Sequence, residues 1–436
     1  MTASTLVRFL LGDRRAILDV AASRRGWLAG LLLVLSAGLA REYDHEDLLR
    51  EPWHALLPLG ASLLTATILF ALLGLVWWRR SATGWPPRGG YRAFLGLYWA
   101  TAPLAWLYAI PVERLLPVDR AVAANLWLLA IVSVWRVALM SRIVQVVWRC
   151  HGWAAFQIVG LFAWGVASVA MFLVPVPIIS IMGGVELAPA EALIAGTTVA
   201  VAAGLVFSAP LWLAGGIAML LYRRRPGGPW TPDPAFGADA CPVGRSAWGV
   251  AVAAVAAGLA LLPSSQPEQR LRHDAERLLR GGGVREAIRL MAAHARDDFP
   301  PHWDPPPRPA YGERTPPLTD VVEAIADVDP PDWVRESFFR KGANMERSWP
   351  DGGPLARLDD ESLARYVDAL GRLPDGARWA GVHATSIAMA LRRPLERDPT
   401  LAPGTRRRAL LDRVLALGGG EPPPRRRGGG DGRVTR

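Results

Sequence analysis

The fold is decided by a stretch that begins at His54 and ends at Trp78, HALLPLGASLLTATILFALLGLVWW. It contains no Asp, Glu, Lys or Arg. A helix needs roughly 20 apolar residues to cross the hydrocarbon core of a bilayer, and this stretch is long enough. Only helices and closed barrels satisfy their backbone groups in lipid, and the stretch lacks the alternation of a strand. It therefore predicts a membrane-spanning helix.

Similar apolar stretches flank this one, and they predict an all-α, polytopic bundle of about seven spans. The expected spans lie near residues 26–40, 54–78, 93–110, 122–141, 153–174, 192–222 and 246–262. The uninterrupted apolar part of the first stretch, Trp27–Ala40, would cover only about 21 Å at 1.5 Å per residue. Its Gly38-Leu39-Ala40 end also fits a signal-peptide cleavage site, which leaves cleavage open as an alternative. If the alanine-rich last stretch does not span, the residues after it lie in the cytoplasm.

Arginine is distributed unevenly between the two sides of this bundle. A cytoplasmic N-terminus puts fifteen arginines inside: Arg8, Arg14, Arg15, Arg24, Arg25, Arg79, Arg80, Arg88, Arg92, Arg142, Arg149, Arg223, Arg224, Arg225 and Arg245. It leaves four outside: Arg41, Arg50, Arg114 and Arg120. Because Lys and Arg are enriched in cytoplasmic loops, we expect a cytoplasmic N-terminus and an extracytoplasmic C-terminal domain. The membrane expected is a bacterial-type cytoplasmic membrane.

The regions outside the bundle differ from it in composition. Residues 1–25 predict a cytoplasmic amphipathic helix, and residues 263–417 predict a soluble α-helical domain with a proline-rich connector at 298–317. Residues 418–436 are rich in Gly, Pro and Arg and are expected to be disordered. Helices are expected at 271–280, 284–296, 319–327, 332–341, 359–372, 378–391 and 405–417, with Asp359 as an N-cap.

Familiar catalytic and cofactor motifs do not occur in the chain. The only lysine, Lys341, precedes glycine and alanine, so the sequence has no phosphate-binding GK[ST] loop. It has no GxSxG elbow, HExxH pair or dinucleotide fingerprint either, and no cofactor is expected. The net charge of +10 arises largely beside the apolar stretches, where arginine sets membrane orientation. We therefore expect no specific nucleic-acid binding.

The loop between the first two spans carries several potential metal ligands. Asp44, His45, Asp47 and His54 are the candidates, because carboxylates and imidazoles bind divalent cations. An acidic, solvated loop on the outer face explains the same residues without a metal.

Within the membrane, the polar candidates are Arg136, Asn125 and Arg142. Ionisable groups in a bilayer are costly and often functional. The alternative is that Arg136 extends its guanidinium to the nearby interface or bonds a neighbouring helix.

Small residues recur every fourth position in the sixth stretch, at Gly196, Ala200, Gly204 and Ser208. Such spacing lets helix backbones approach closely in lipid. It predicts a helix-packing seam, whose partner is another helix of the chain, a second copy or a protein partner.

These features favour a non-enzymatic membrane protein that anchors and presents its helical C-terminal domain for assembly or interaction. The lipid bilayer is the partner expected for the apolar stretches. A transporter or channel-like protein is the first alternative, because prolines interrupt several spans. A membrane-embedded enzyme that uses the acidic outer loop is the second.

Overall fold

The computed structural model describes residues 1–77, 89–173, 189–222, 232–301, 303–306, 316–347, 355, 358–391 and 399–419. Helices are the only regular secondary structure in these ranges, apart from one isolated bridge between Ser23 and Cys241. The all-α prediction is confirmed. The chain forms two compact units, here called the membrane unit, within Met1–Pro177 and Ala188–Arg270, and the helical unit, which follows from Leu271.

The membrane unit is built from ten α-helices and one 3₁₀ helix in its described ranges. They are α1 Ala3–Leu10, α2 Arg14–Ala21, α3 Gly26–Glu42, α4 Trp53–Trp77, α5 Gly90–Trp99, the 3₁₀ helix Ala102–Ala109, α6 Val112–Leu115, α7 Val118–Val147, α8 Gly152–Leu173, α9 Pro189–Tyr222 and α10 Arg245–Arg280. Six segments are long and apolar enough to cross a membrane: α4, α7, α8, α9, α10 and the run Gly90–Leu115. By their length and composition, these segments are compatible with a multi-pass membrane protein.

The first expected span forms α3, which is 17 residues long. At 1.5 Å per residue it covers about 25 Å, so it is shorter than the six long segments. Most of its residues are buried, because α4, α5 and the 3₁₀ helix pack around it. The apolar side chains of α3 therefore contact mostly other helices of the protein.

Two expected spans differ in their course from the sequence prediction. The span expected at 93–110 is not one helix, since α5 ends at Trp99 and a 3₁₀ helix starts at Ala102. The helix that holds the last expected span does not end at Leu262, because α10 continues through Pro263 to Arg280. Proline lacks a backbone donor but can be tolerated inside a long membrane helix when other groups satisfy the freed carbonyls.

Side chains from neighbouring helices surround the interruption after α5. The Trp99 indole donates to Ser62 Oγ of α4 at 3.1 Å, and the Trp106 indole donates to Ser36 Oγ of α3 at 2.9 Å. The Thr101 hydroxyl donates to the Tyr98 carbonyl at 2.6 Å. These bonds satisfy polar groups that lipid cannot, and they tie the broken segment to α3 and α4.

Helices α3 and α10 run in the same direction and meet near their ends. Near their starts, Arg24 N donates to the Cys241 carbonyl at 3.0 Å, just before α10 begins. Leu39 lies against Gly258, and the Tyr43 carbonyl accepts bonds from Ser265 and from Gln266 Nε2. Both helices therefore connect the same two ends of the membrane unit, called here the N-terminal end and the opposite end.

The helical unit contains six further α-helices in its described ranges, after the last turns of α10. They are α11 Val284–Ala292, α12 Leu318–Val328, α13 Asp332–Arg347, α14 Asp360–Arg372, α15 Gly376–Leu391 and α16 Arg406–Leu417. They enclose an apolar core of their own, with Trp379, Tyr366 and Phe299 among its largest buried side chains. The Asp359 side chain caps α14 by accepting from Ser362 N at 2.7 Å, as expected.

The proline-rich connector and the C-terminal tail fall largely outside the described residues. Of the connector, residues 298–301, 303–306 and 316–317 are described, and Phe299 among them is buried in the core of the helical unit. Residues 420–436, which include most of the segment expected to be disordered, lie outside the described ranges.

The packing of α3 can be tested with a pair of glycine substitutions. A Cβ at Gly38 would lie 2.6 Å from the Ala55 carbonyl oxygen, whereas a Cβ at Gly60 on α4 has nothing within 4 Å. Alanine favours helix at both positions, but overpacking costs roughly 1–3 kcal/mol. We expect Gly38→Ala to lower the thermal stability of the detergent-solubilised protein and Gly60→Ala to leave it equal or higher. Equal melting temperatures for the two variants would contradict this packing.

Candidate functional site

The loop after α3 is fixed to α10 by amide and hydroxyl side chains. Gln266 Nε2 donates to the Glu46 carbonyl at 3.0 Å, Gln266 Oε1 accepts from Leu49 N at 3.2 Å, and Gln269 Nε2 donates to the Asp44 carbonyl. The carbonyl groups that end α3 have no partner within their own helix. The loop therefore owes its shape to contacts with a segment that lies more than 200 residues later in the sequence.

This arrangement brings His54 together with Glu46 and Glu51, a set different from the one expected. One ligand atom from each of the three lies within 4.8 Å of the others, and His54 Nε2 is 3.2 Å from Glu51 Oε2. Two carboxylates and an imidazole form a donor set that zinc and similar divalent cations accept. A cation held here would need further ligands from water.

The other three expected ligands point to different partners. The Asp44 carboxylate lies 3.7 Å from His45 Nε2. Asp47 is buried and accepts from the backbone N–H groups of Leu49 and Arg50, both at 3.2 Å. These residues shape and terminate the loop, and only His54 of the expected set joins the three-residue group.

Burial also sets the ionisation of two groups at the start of this loop. It raises the pKa of the Asp44 carboxyl above its usual value, and the nearby Glu113 carboxylate adds to the effect while His45 opposes it. Burial and the Asp44 charge together raise the pKa of the Tyr43 phenol to about 12. Tyr43 therefore stays a neutral donor, and its hydroxyl donates to the Ala109 carbonyl at 3.1 Å.

The three polar residues expected within the membrane all lie on α7 but contact different elements. The Arg136 guanidinium lies over the Tyr98 ring, 4.9 Å from its centroid, in cation–π geometry. Asn125 donates to the Glu113 carboxylate, and Arg142 donates to the Gly12 carbonyl at 3.3 Å. The structure does not bring them together into one site.

The expected packing seam on α9 faces away from the described part of the chain. A Cβ placed at Gly196 or at Gly204 has nothing within 4 Å among the described atoms. Ala200 is exposed, and Ser208 is half-buried. A partner for this seam stays a prediction.

A different set of glycines joins α9 to α8. A Cβ at Gly160 would collide with the Trp212 ring, and one at Gly216 would lie 2.9 Å from Leu161 Cδ2. The Trp164 indole also donates to the Leu205 carbonyl at 2.9 Å. Sequence spacing did not indicate these positions, because the close approach depends on which glycine faces a large side chain of the neighbouring helix.

The helical unit carries a cleft that sequence reasoning missed. It has a volume of about 460 Å³, and it lies between the first turns of α13 and the start of α15. The lining residues are Asp332, Trp333, Arg335, Glu336, Pro374, Asp375 and Arg378. No motif links these two segments, because they meet only when α13 and α15 pack together. The Pro374-Asp375-Gly376 turn is the one local signal, since it marks the helix start that closes the cleft.

The charges of the cleft are held in pairs. Arg378 donates to the Glu336 carboxylate, at 3.0 Å for one of two bonds, and its guanidinium lies 3.9 Å from the Phe339 ring centroid. Arg335 donates to Asp332 and, at 2.8 Å, to Asp329. The bond from Arg378 lowers the pKa of Glu336. The walls of the cleft therefore carry fixed charges of both signs around the neutral Trp333 ring.

The buried Asp44 carboxyl predicts a pH effect on stability. When the pKa of an acid is higher in the folded than in the unfolded chain, the free energy of unfolding decreases as the pH rises above the unfolded-state pKa. For Asp44 the ordinary pKa is 3.8. We expect Asp44→Asn to raise the free energy of unfolding at pH 7 and to have little effect below about pH 3.8. Exposed Asp19→Asn is the control. Thermal unfolding across this pH range measures both, and a destabilising Asp44→Asn at pH 7 would contradict the effect of burial.

The contact between α8 and α9 predicts different effects on stability when two glycines are replaced by alanine. Gly160→Ala should destabilise the protein by roughly 1–3 kcal/mol, because the added methyl group meets the Trp212 ring. Gly204→Ala should leave the stability equal or higher, because nothing lies within 4 Å of the new Cβ and alanine favours helix. Unfolding in detergent, followed by tryptophan fluorescence, measures the stability of both variants. Loss of stability in Gly204→Ala would show that another helix, of this chain or of a second copy, packs on the seam.

Comparison with models of protein families, with curated proteins and with solved structures finds no match for this chain. A functional assignment therefore depends on the geometry of the residues described above.

Proposed function

We propose that this chain is a membrane-anchored interaction protein, in which the helix bundle holds the helical unit at the bilayer and the α13/α15 cleft binds a segment of a partner protein. The observation that carries this proposal is the cleft itself. It combines Trp333 with arginines and carboxylates on a separately packed unit. Tryptophan and arginine dominate the energetic centres of protein interfaces.

The size and charge of the cleft suit a polypeptide segment. Its volume of about 460 Å³ accommodates a few side chains. Asp332 is 91% exposed at its side chain, and Glu336 is 50% exposed, so both can reach a partner. Charges at the border of an interface select partners and orient them. A segment with both basic and acidic side chains around an apolar anchor would match these walls.

The same electrostatics favour binding over catalysis at this place. General acid–base chemistry needs a group whose pKa lies near the working pH. The bond from Arg378 moves the pKa of Glu336 down, and the bond to Asp332 moves the pKa of Arg335 up. Both groups stay charged near neutral pH, which suits recognition by fixed charges.

The proposal includes an orientation for the chain. Because α3 and α10 connect the same two ends of the membrane unit, counting α3 as a span gives seven crossings. Arginine at the N-terminal end then favours a cytoplasmic N-terminus and an extracytoplasmic helical unit in a bacterial-type cytoplasmic membrane. Reporters fused after Arg92, Arg225 and Pro316 would test this orientation. A reporter after Pro316 that is active in the cytoplasm would show that the helical unit lies in the cytoplasm, which would contradict the proposed orientation.

The cleft can be tested by a charge reversal that preserves its ion pair. A photo-crosslinking residue in place of Asp332, in the full chain and in its membrane, should form a protein adduct. Arg378→Glu should abolish the adduct and reduce stability by about 1 kcal/mol. The double variant Arg378→Glu/Glu336→Arg should recover much of the melting temperature, because the ion pair re-forms, while the adduct stays absent.

A matched control is the reversal of an exposed pair elsewhere on the helical unit. Arg413 and Asp368 lie 3.1 Å apart at exposed positions, and Arg413→Asp/Asp368→Arg should leave the adduct unchanged. Recovery of the adduct in the Arg378/Glu336 double variant would mean that the partner does not sense the charges of the cleft. Absence of any adduct in the otherwise unchanged protein would overturn the proposal.

A transporter is the second candidate, and the interruption after α5 favours it. Broken helices line transport sites in several transporter folds, and Arg136 lies against Tyr98, whose hydroxyl donates to Thr65 at 3.0 Å. This candidate requires that Arg136→Ala abolish solute uptake without loss of folded protein from the membrane. If solute flux through the Arg136→Ala variant equals that of the unchanged protein, Arg136 has no role in transport and this candidate function loses its main support.

A further inference from the structure

The N-terminal helices α1 and α2 form a layer at the N-terminal end of the membrane unit. Their inward faces are apolar, and Phe9 and Ile17 are fully buried. The Trp135 indole donates to the Leu10 carbonyl at 3.0 Å, and Arg142 donates to the Gly12 carbonyl at 3.3 Å. These bonds fix the turn between α1 and α2 against the last part of α7.

The outward face of this layer is both apolar and basic. Val7 is 59% exposed and Leu11 is 72% exposed. Beside them lie exposed arginines, of which Arg8 pairs with Asp13 at 2.9 Å. Four others, Arg14, Arg15, Arg24 and Arg25, are exposed and have no carboxylate partner within the described ranges. Asp19 on α2 also has an exposed carboxylate, but the arginines outnumber the carboxylates, so the net charge of the layer is positive.

The position of the layer along α7 indicates its depth in the membrane. Helix α7 has 30 residues and covers about 45 Å, whereas the hydrocarbon core is about 30 Å thick. Its buried residues concentrate in the final turns, from Leu139 to Val147, on which α2 packs. Trp153, at the start of α8 on the same end, is 59% exposed, as is typical of the membrane interface. The layer therefore lies at the depth of the lipid headgroups.

We propose that the outward face of α1 and α2, together with Arg24 and Arg25 in the turn after α2, binds anionic phospholipid. The Val7 and Leu11 side chains enter the boundary of the acyl region, and the unpaired guanidinium groups of the four arginines bind headgroup phosphates. Amphipathic helices at an interface join these same two interactions. The planar guanidinium group donates two parallel hydrogen bonds to phosphate oxygens, which makes arginine well suited to this contact.

The other end of the membrane unit lacks this arrangement. Three of its four arginines are engaged, because Arg41 lies 3.3 Å from Glu42, Arg50 lies 3.9 Å from Asp47 and Arg114 donates twice to Glu268. Carboxylates also predominate there. Exposed, unpaired guanidinium groups beside exposed aliphatic side chains thus mark one end of the unit as the side that prefers anionic lipid.

The proposal can be tested with the full chain reconstituted in phosphatidylcholine bilayers. Spin-labelled phosphatidylglycerol and spin-labelled phosphatidylcholine report the motionally restricted lipid at the protein surface, and the ratio of their association constants measures selectivity. We expect several-fold selectivity for phosphatidylglycerol. The variant Arg14→Gln/Arg15→Gln/Arg24→Gln/Arg25→Gln should clearly lower the ratio, although other arginines remain at that end, and Arg41→Gln/Arg120→Gln, at the other end, should leave it unchanged.

Two further measurements keep the proposal falsifiable if the four-glutamine variant does not fold. Replacing the same four arginines by lysine retains the charge, so selectivity should fall only in part. Raising the salt concentration should reduce the selectivity of the unchanged protein, because exposed charges are screened. A ratio of one for the unchanged protein, full selectivity in the glutamine variant, equal loss in the Arg41/Arg120 control or selectivity that salt does not change would each overturn the proposal.

Discussion

The membrane unit depends on the close approach of helix backbones around α3. This helix is short, and lipid covers little of it, so its stability comes from neighbouring protein. Glycines make the contacts possible, since a Cβ at Gly30 would lie 2.8 Å from Trp99 Cβ and one at Gly38 would meet the Ala55 carbonyl. Without a hydrophobic force between helices in lipid, van der Waals packing and interhelical hydrogen bonds must hold a bundle together. Helix α3 packs closely on α4, α5 and the 3₁₀ helix, and its Ser36 accepts a bond from the Trp106 indole.

The break after α5 follows from the same enclosure. A chain that leaves the α-helical path within a bilayer exposes carbonyl and amide groups, which lipid cannot satisfy. Here the break lies against α3 and α4. The Tyr98 and Ala109 carbonyls accept bonds from the Thr101 and Tyr43 hydroxyls, and the Trp99 and Trp106 indoles donate to serine hydroxyls of α4 and α3. The peripheral helices differ in this respect. Helices α8 and α9 are continuous and expose large apolar side chains such as Phe172 and Phe207, as lipid contact requires.

The sequence predicted the helices well because their signals are local. Apolar length located the spans, and the helices of the tail followed from caps and periodicity, as at Asp359. What it could not predict depends on contacts between distant segments. The passage of α10 through Pro263, the meeting of Glu46 with His54 and the cleft between Trp333 and Arg378 all arise from packing that spacing does not encode. The α9 seam shows the reverse case, in which a strong local pattern has no partner among the described residues.

The bonds between Tyr43 and α10 also have a consequence for biosynthesis. The carbonyl of Tyr43 accepts from Ser265 and Gln266, and 222 and 223 sequence positions separate the partners. A ribosome makes the chain from its N-terminus, so α3 is complete more than 200 residues before the α10 side chains that bond the Tyr43 carbonyl. Until then, water or another protein must donate to that carbonyl. Truncation of the chain before residue 265 would remove both of these donors.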